Sequence, residues 1–265
     1  HYSSRRQRQM CIRDSITGVP TQTWELLNHP DRDSYDLSSL RTLGGGGGPR
    51  PAEHVKALDK NFKGRPGIGY GLTETNALGT MGAGDEYINN PSSAGRVVPP
   101  LTEIKIIDEN WQELPEGKIG EVAIRSQSNM KGYWRNDDAT AECINSEGWF
   151  KSGDLGKFDG PFLYILDRLK DMVIRGGENI ACPEVEGAIY EHPDVLEASV
   201  FGIPDERLGE ILCSSICLRE GSKLSVESLN EFLSDKLAAF KIPVKIKFTY
   251  NPLPKIASGK FDKPT

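Results

Sequence analysis

No run of 18 or more apolar residues occurs in the chain, which removes a membrane-spanning helix from consideration. Basic charge is also lacking: 32 Lys and Arg stand against 38 Asp and Glu, a formal net charge of -6, so there is no positive excess to follow a nucleic-acid backbone. The four histidines are scattered without metal-ligand spacing, which argues against a zinc site. Five cysteines (Cys11, Cys143, Cys182, Cys213, Cys217) include no C-x-x-C pair and read as reduced thiols in a cytoplasm-like compartment. Neither G-x-x-x-x-G-K-[ST] nor G-x-G-x-x-G is present, so two common phosphate-binding loops are ruled out.

What remains is a chain of 265 residues, enough for two ordinary domains with cores. Residues 1–15 are basic and aperiodic, lack the apolar segment of a signal peptide, and read as a non-native or disordered leader. From Ile16 onward the composition is globular. Helices are expected from Val19 to Leu27, stopping near Pro30, and from Pro51 to Phe62. Strands are expected at Leu40 to Leu43 and Gly67 to Tyr70, giving an α/β unit whose strand ends carry ligand loops. Beyond Ala94 short strands at Glu103 to Asp108 and Glu121 to Ser126 make a small β-rich subdomain. After a strand at Leu163 to Asp167 comes a compact α+β unit. It has a helix from Pro183 to Glu191, strands at Ala198 to Gly202 and Leu212 to Leu218, and a helix from Val226 to Phe240 capped by Ser225.

Two segments carry the most chemistry. Gly69 to Thr75 places a hydroxyl and a carboxylate together after a glycine-rich turn, a grouping suited to phosphate oxygens and Mg²⁺. At the far end, Pro254 to Lys260 sets a lysine in a loop of small residues, a mobile point charge for developing negative charge. Between them, in order after the glycine run Gly44 to Pro49, stand Gly120-Glu-Val, Lys131-Gly-Tyr-Trp134, Trp149 to Leu155, Asp167 to Asp171 and Arg175 to Asn179.

This ordered series resembles the adenylate-forming (AMP-binding) superfamily of acyl-CoA synthetases, peptide-synthetase adenylation domains and luciferases, over roughly Ile16 to Lys263. The resemblance implies a truncated large AMP-binding domain over residues 16–167 and a small mobile α+β domain over 168–265. It also implies site roles. Glu74 would bind Mg²⁺ and Thr73 would contact the α-phosphate. Tyr70 and Gly71, with Gly47, Gly48 and Pro49, would receive the adenine, with Gly48 standing where the family often has Ala. Asp154 would accept both ribose hydroxyls, and Arg168 would reach the nucleotide. Lys170 would be the hinge. Gly176, Gly177 and Glu178 would line the channel for the CoA thiol, and Lys260 would act in adenylation.

The function so implied is an ATP-dependent acid-thiol ligase that activates a carboxylic acid, fatty or related, as acyl-AMP and transfers it to CoA. Arg175 to Ile180, Glu184-Val-Glu186, His192 to Val195 and Gly202 to Asp205 look like the CoA-ligase branch. Three alternatives stay open: loading of a carrier protein, a non-catalytic nucleotide-binding remnant, and luciferase-type oxygenation. The family's Ser/Thr/Gly-rich phosphate loop is not found here, so the chain reads as the C-terminal part of a longer enzyme, inactive or nearly so alone. The small domain is expected to fold by itself.

Overall fold

The computed structural model describes residues 14–257 and 260–263; the basic leader before Asp14, with Cys11, and Ser258 and Gly259 of the terminal lysine motif lie outside the described residues. The chain divides into two compact units between Ile165 and Leu166, inside the strand Phe162–Arg168 that closes the first sheet's part of the chain.

The first unit opens with β1 (Ser15–Gly18), α1 (Pro20–Leu27), β2 (Thr42–Gly45), α2 (Ala52–Asn61) and β3 (Arg65–Tyr70). Pro20 pre-sets the first turn of α1, and the chain turns away at Asn28 ahead of Pro30. The three strands pair in parallel. Leu27, Leu43, Leu58 and Phe62 form a buried cluster between these helices and strands. β2 starts two residues later than the sequence pattern predicts, because Leu40, though buried, donates its N–H to Leu37 and closes a turn instead of extending.

From β3 the sheet becomes antiparallel. It continues through β4 (Thr80–Ala83), helix α3 (Gly84–Asn89), β5 (Gly95–Val97), β6 (Thr102–Ile107), β7 (Gly120–Ser126), helix α4 (Asp137–Cys143), β8 (Phe150–Asp159) and β9 (Phe162–Arg168). Among the described residues this is one sheet of nine strands in the order β1-β2-β3-β4-β5-β9-β8-β7-β6. The β-rich part read after Ala94 therefore continues the same sheet. Its core is Ile106, Val122, Ile124 and Leu163, with Tyr70 and Leu72 packed against them.

The second unit contains β10 (Val173–Arg175), β11 (Glu178–Ile180), α5 (Cys182–Tyr190), β12 (Val195–Asp205), β13 (Gly209–Leu218), α6 (Val226–Ser234) and β14 (Lys245–Thr249). β12 and β13 pair antiparallel along nearly their whole length, and β14 adds in parallel to β13. Both helices bury apolar faces on this sheet: Val185 and Ile189 from α5, Leu229 and Leu233 from α6, all at 0% exposure. Burying each such side chain contributes about 1.5–3 kcal/mol. Ser225 caps α6 by accepting from the Ser228 N–H.

That helix is shorter than its apolar stripe predicts. The N–H groups of Lys236 and Leu237 both turn back to the Leu233 carbonyl at 3.0 and 2.9 Å, ending the helix there. Leu237 and Phe240 still reach the core, but from the segment after the helix. Cys143, Cys182, Cys213 and Cys217 are free thiols.

Candidate functional site

The glycine run is where β2 leaves the sheet. Gly46 forms a parallel bridge with Gly69 of β3. A Cβ on Gly46 would sit 2.7 Å from the Gly69 carbonyl oxygen, so glycine is needed for that approach. Gly47 then turns with φ 77° and is exposed, as is Pro49, while Gly48 is half-buried. Support from below comes from Arg50, 5% exposed, whose Nη1 donates to the Gly67 carbonyl at 3.1 Å. Nothing in the motif pattern singled out Arg50.

Directly across this turn, β3 ends at Tyr70. Its hydroxyl donates to Oδ2 of Asp154 at 2.7 Å, joining residues 84 apart in the chain. Asp154 is 6% exposed and lies inside strand β8, not in a turn. Gly153 before it takes φ 73° within the strand, and its N–H is received by the Glu121 carboxylate at 3.0 Å. The β7–β8 register slips between Glu121 and Ala123, which aims Asp154 off the regular pleat.

The next residues fold into a tight turn. Gly71 leads into a 3₁₀ turn over Thr73–Thr75, and Asn76 and Ala77 follow with φ 55° and 59°. A Cβ on Gly71 would come 2.5 Å from the Ala77 carbonyl carbon, so the turn closes only over glycine. Thr75 is fully buried and accepts from the Leu72 N–H at 3.0 Å, while Thr73 is exposed and Glu74 half-buried. Two bonds tie the turn to residues 128–133: Ser128 Oγ donates to the Thr75 carbonyl at 2.9 Å, and the Met130 N–H to the Glu74 carbonyl at 2.7 Å.

The Glu74 side chain also has a partner. Tyr133 donates its hydroxyl to Oε1 at 3.0 Å, and burial together with that carboxylate pushes the Tyr133 pKa up to about 12. Tyr133 belongs to the Lys131–Trp134 motif, but nothing in the sequence assigned it a partner; its place in the ordered series was the only available signal. Among the described residues no group of three His, Cys, Asp or Glu could enclose a metal ion. One carboxylate beside the Thr73 hydroxyl is still a donor set that fits Mg²⁺, which takes one or two carboxylates and completes its shell with phosphate oxygens and water.

The other candidates lie in the second unit or at its entrance. Arg168 ends β9 and is exposed, and its carbonyl accepts from the Asp171 and Met172 N–H groups at 3.1 Å each. Lys170 is exposed in that turn. Just before it, Asp167 is 8% exposed and accepts from the N–H groups of Arg168 and Cys182; burial raises its pKa despite those two bonds. Gly176 and Gly177 form the two-residue turn of the β10–β11 hairpin, with φ 59° and 89°, the conformation such hairpins favour. Both are exposed, as is Glu178, and a Cβ on Gly177 would meet nothing within 4 Å. Lys260 is half-buried, and its carbonyl accepts from the Ile256 N–H at 2.9 Å.

Residues 13–134 match the family described as AMP-binding enzyme, and residues 184–260 match the AMP-binding enzyme C-terminal domain. The chain belongs to the AMP-binding enzyme family. Curated relatives in the family include a feruloyl-CoA synthase of Amycolatopsis sp, 37% identical over 250 residues. Another is the mitochondrial medium-chain acyl-CoA ligase ACSF2 of Danio rerio, 36% identical over 253 residues. Each match covers 94% of this chain, but 50% of the first relative and 41% of the second, so the chain spans about half the length of the curated relatives it matches. Among solved structures, the amide bond synthetase McbA from Marinactinospora thermotolerans superposes with a TM-score of 0.84 at 32% identity, covering 94% of this chain and 50% of McbA. The α/β fold read from the motif series is thus that of adenylate-forming enzymes. Among the described residues no helix is long and apolar enough to cross a membrane.

Proposed function

We propose that the chain works as part of an acyl-CoA synthetase. A carboxylate displaces pyrophosphate from the α-phosphorus of ATP to form an acyl-adenylate. The thiol of CoA then attacks the acyl carbon, losing its proton, and AMP leaves. The observation that best supports this is the Tyr70–Asp154 pair beside the glycine turn. A flat ring, a backbone stripped of side chains and a buried carboxylate with two acceptor oxygens match an adenine and the two hydroxyls of a ribose.

In this reading Thr73 and Glu74 face the phosphates from the turn that follows. Glu74 would hold Mg²⁺, which when bound supplies positive charge against the phosphate oxygens. Tyr133 orients the Glu74 carboxylate by donating to Oε1. Lys260 brings an ammonium to the carboxylate and α-phosphate during adenylation. Arg168 reaches the nucleotide, Lys170 is the hinge, and the Gly176–Gly177 turn with Glu178 lines the thiol's approach. Glycine there leaves a narrow path open, since no side chain projects from the turn. The acid is fatty or related, and the compartment is reducing and cytoplasm-like. The names of the relatives span medium-chain and feruloyl acids and one mitochondrial location.

Two assays on the enzyme as encoded test this: ATP–pyrophosphate exchange for the first half-reaction, and thioester formation from supplied acyl-adenylate for the second. Lys260→Ala is expected to abolish the first and spare the second, and Gly177→Trp to do the reverse. Equal loss of both steps in Lys260→Ala overturns its role. Survival of thioester formation in Gly177→Trp overturns the channel assignment. Acyl transfer to an amine or a carrier protein, but not to CoA, would change the acceptor while keeping the adenylation.

A further inference from the structure

The segment that carries Lys260 is fastened at both feet by lysines bonded to little-exposed carboxylates. On the incoming side Lys255 Nζ lies 2.8 Å from Oε1 of Glu197, with the two side chains 19% and 7% exposed. The same Glu197 carboxylate also accepts from the Leu253 N–H at 2.7 Å, so it grips the backbone ahead of Lys255 as well. On the outgoing side Lys263 Nζ lies 2.8 Å from Oε1 of Glu186, with the side chains 32% and 13% exposed, and donates to the Val200 carbonyl at 2.9 Å. Glu186 in turn accepts from the Val200 N–H at 2.9 Å. Both carboxylates come from the core of the second unit, Glu186 from α5 and Glu197 from β12.

The described residues on either side of Lys260 pair with one another. Lys255 and Phe261 form an antiparallel bridge, the Ile256 N–H reaches the Lys260 carbonyl at 2.9 Å, and the Asp262 N–H reaches the Pro254 carbonyl at 2.9 Å. Lys260 is thus held at its own backbone by the Ile256 N–H, three residues from Lys263 and five from Lys255. A long cationic side chain on an unanchored segment has much freedom to lose before it can meet a phosphate. Burial works against the Lys263 ammonium, but Glu186, Cys182 and Asp167 together raise its pKa, which keeps the foot charged.

We infer that Lys255 and Lys263 are positioning residues that act through Lys260, clamping its loop to Glu197 and Glu186 so that its ammonium is presented with most of its backbone freedom already removed. This rests on the proposed adenylation role of Lys260 for its catalytic meaning, but not for its structural content. Replacing one partner alone would strand a buried charge and destabilise the unit for an unrelated reason. The informative variant is therefore Lys263→Met with Glu186→Gln, which removes both charges and keeps an acceptor for the Val200 N–H.

The first readout is hydrogen exchange of the Ile256 and Asp262 amides, with the β12 and β13 amides as the internal reference for folding. Exchange at the two loop amides is expected to rise about tenfold or more, with the strands unchanged. Unchanged loop exchange over folded strands overturns the clamp. The second readout is ATP–pyrophosphate exchange in the enzyme as encoded, where kcat should fall at least about tenfold with little change in KM for ATP. A looser loop with wild-type kcat overturns the positioning role while leaving the loop anchor standing. If the unaltered enzyme shows no pyrophosphate exchange, the adenylation reading fails and the positioning role fails with it, while the loop exchange result stands by itself.

Discussion

The two units hold their candidate groups by different physics. In the first, the groups sit where backbones approach so closely that a Cβ has no room: Gly46 against Gly69, and Gly71 against Ala77. In the second, the lysine loop is tied to the core by charge, through Glu186 and Glu197. Steric closeness responds little to salt and sharply to a single added methyl group. Buried ion pairs respond to the loss of one partner and tolerate changes of shape. The first unit is built to keep a fixed surface, the second to keep one charged group on a short tether.

The sharpest break in that contrast is Gly71→Ala. The added methyl would lie against the Ala77 backbone rather than a yielding side chain. Unit one should lose about 2 kcal/mol, as overpacked sites do, with unit two unaffected. Chemical denaturation followed by a probe in each unit measures this; a cost below about 0.5 kcal/mol would show that the turn yields and that sterics do not set it.

A smaller effect is expected for Tyr70→Phe, which deletes the donor to Asp154 but keeps the ring. The loss of one hydrogen bond to a carboxylate should cost about 1–2 kcal/mol in the same denaturation experiment. No loss would mean that Asp154 is served equally well by other groups, and that the pair does not hold β8 to β3.

The smallest effect tests electrostatics inside the sterically built unit. The raised Tyr133 pKa means that the fold favours the neutral, donating phenol. Its contribution is complete below the ordinary value of 10.0 and is lost as pH rises through about 12. An ultraviolet titration of wild type against Tyr133→Phe isolates this group. Glu74→Gln should bring its pKa part of the way back, since burial, the larger cause, remains. A titration unmoved by Glu74→Gln would separate the two side chains.

Much of this was legible in the sequence where local chemistry decides. Pro20 and Asn28 bracket α1, Pro183 opens the first turn of α5, and Ser225 caps α6, so the starts of these three helices were readable within a residue or two, whereas α3 and α4 were not read at all. The end of α6 was not, because Leu237 and Phe240 continue the helical spacing although the backbone has already turned. Strand β8 was hidden for the opposite reason: Ser152-Gly153 reads as a turn, and only the neighbouring strand with its slipped register lets Gly153 take a left-handed φ within a strand. The site motifs were visible as an ordered series. Their pairings, Tyr70 with Asp154 and Tyr133 with Glu74, are long-range contacts with no local signature.

The Tyr70–Asp154 bond also measures the shape of the sheet. In strand order, β4, β5 and β9 stand between β3 and β8. Four lateral steps of about 4.8 Å would part the two strands by about 19 Å on a flat sheet, well beyond the combined reach of a phenol and a carboxylate. The 2.7 Å contact is a chord across a curled surface, and Tyr70 packs against the cluster that contains Leu163, Val122 and Ile124. Curvature is therefore what brings this pair together: a substitution in that cluster that lets the sheet flatten would draw tyrosine and aspartate apart with both residues intact.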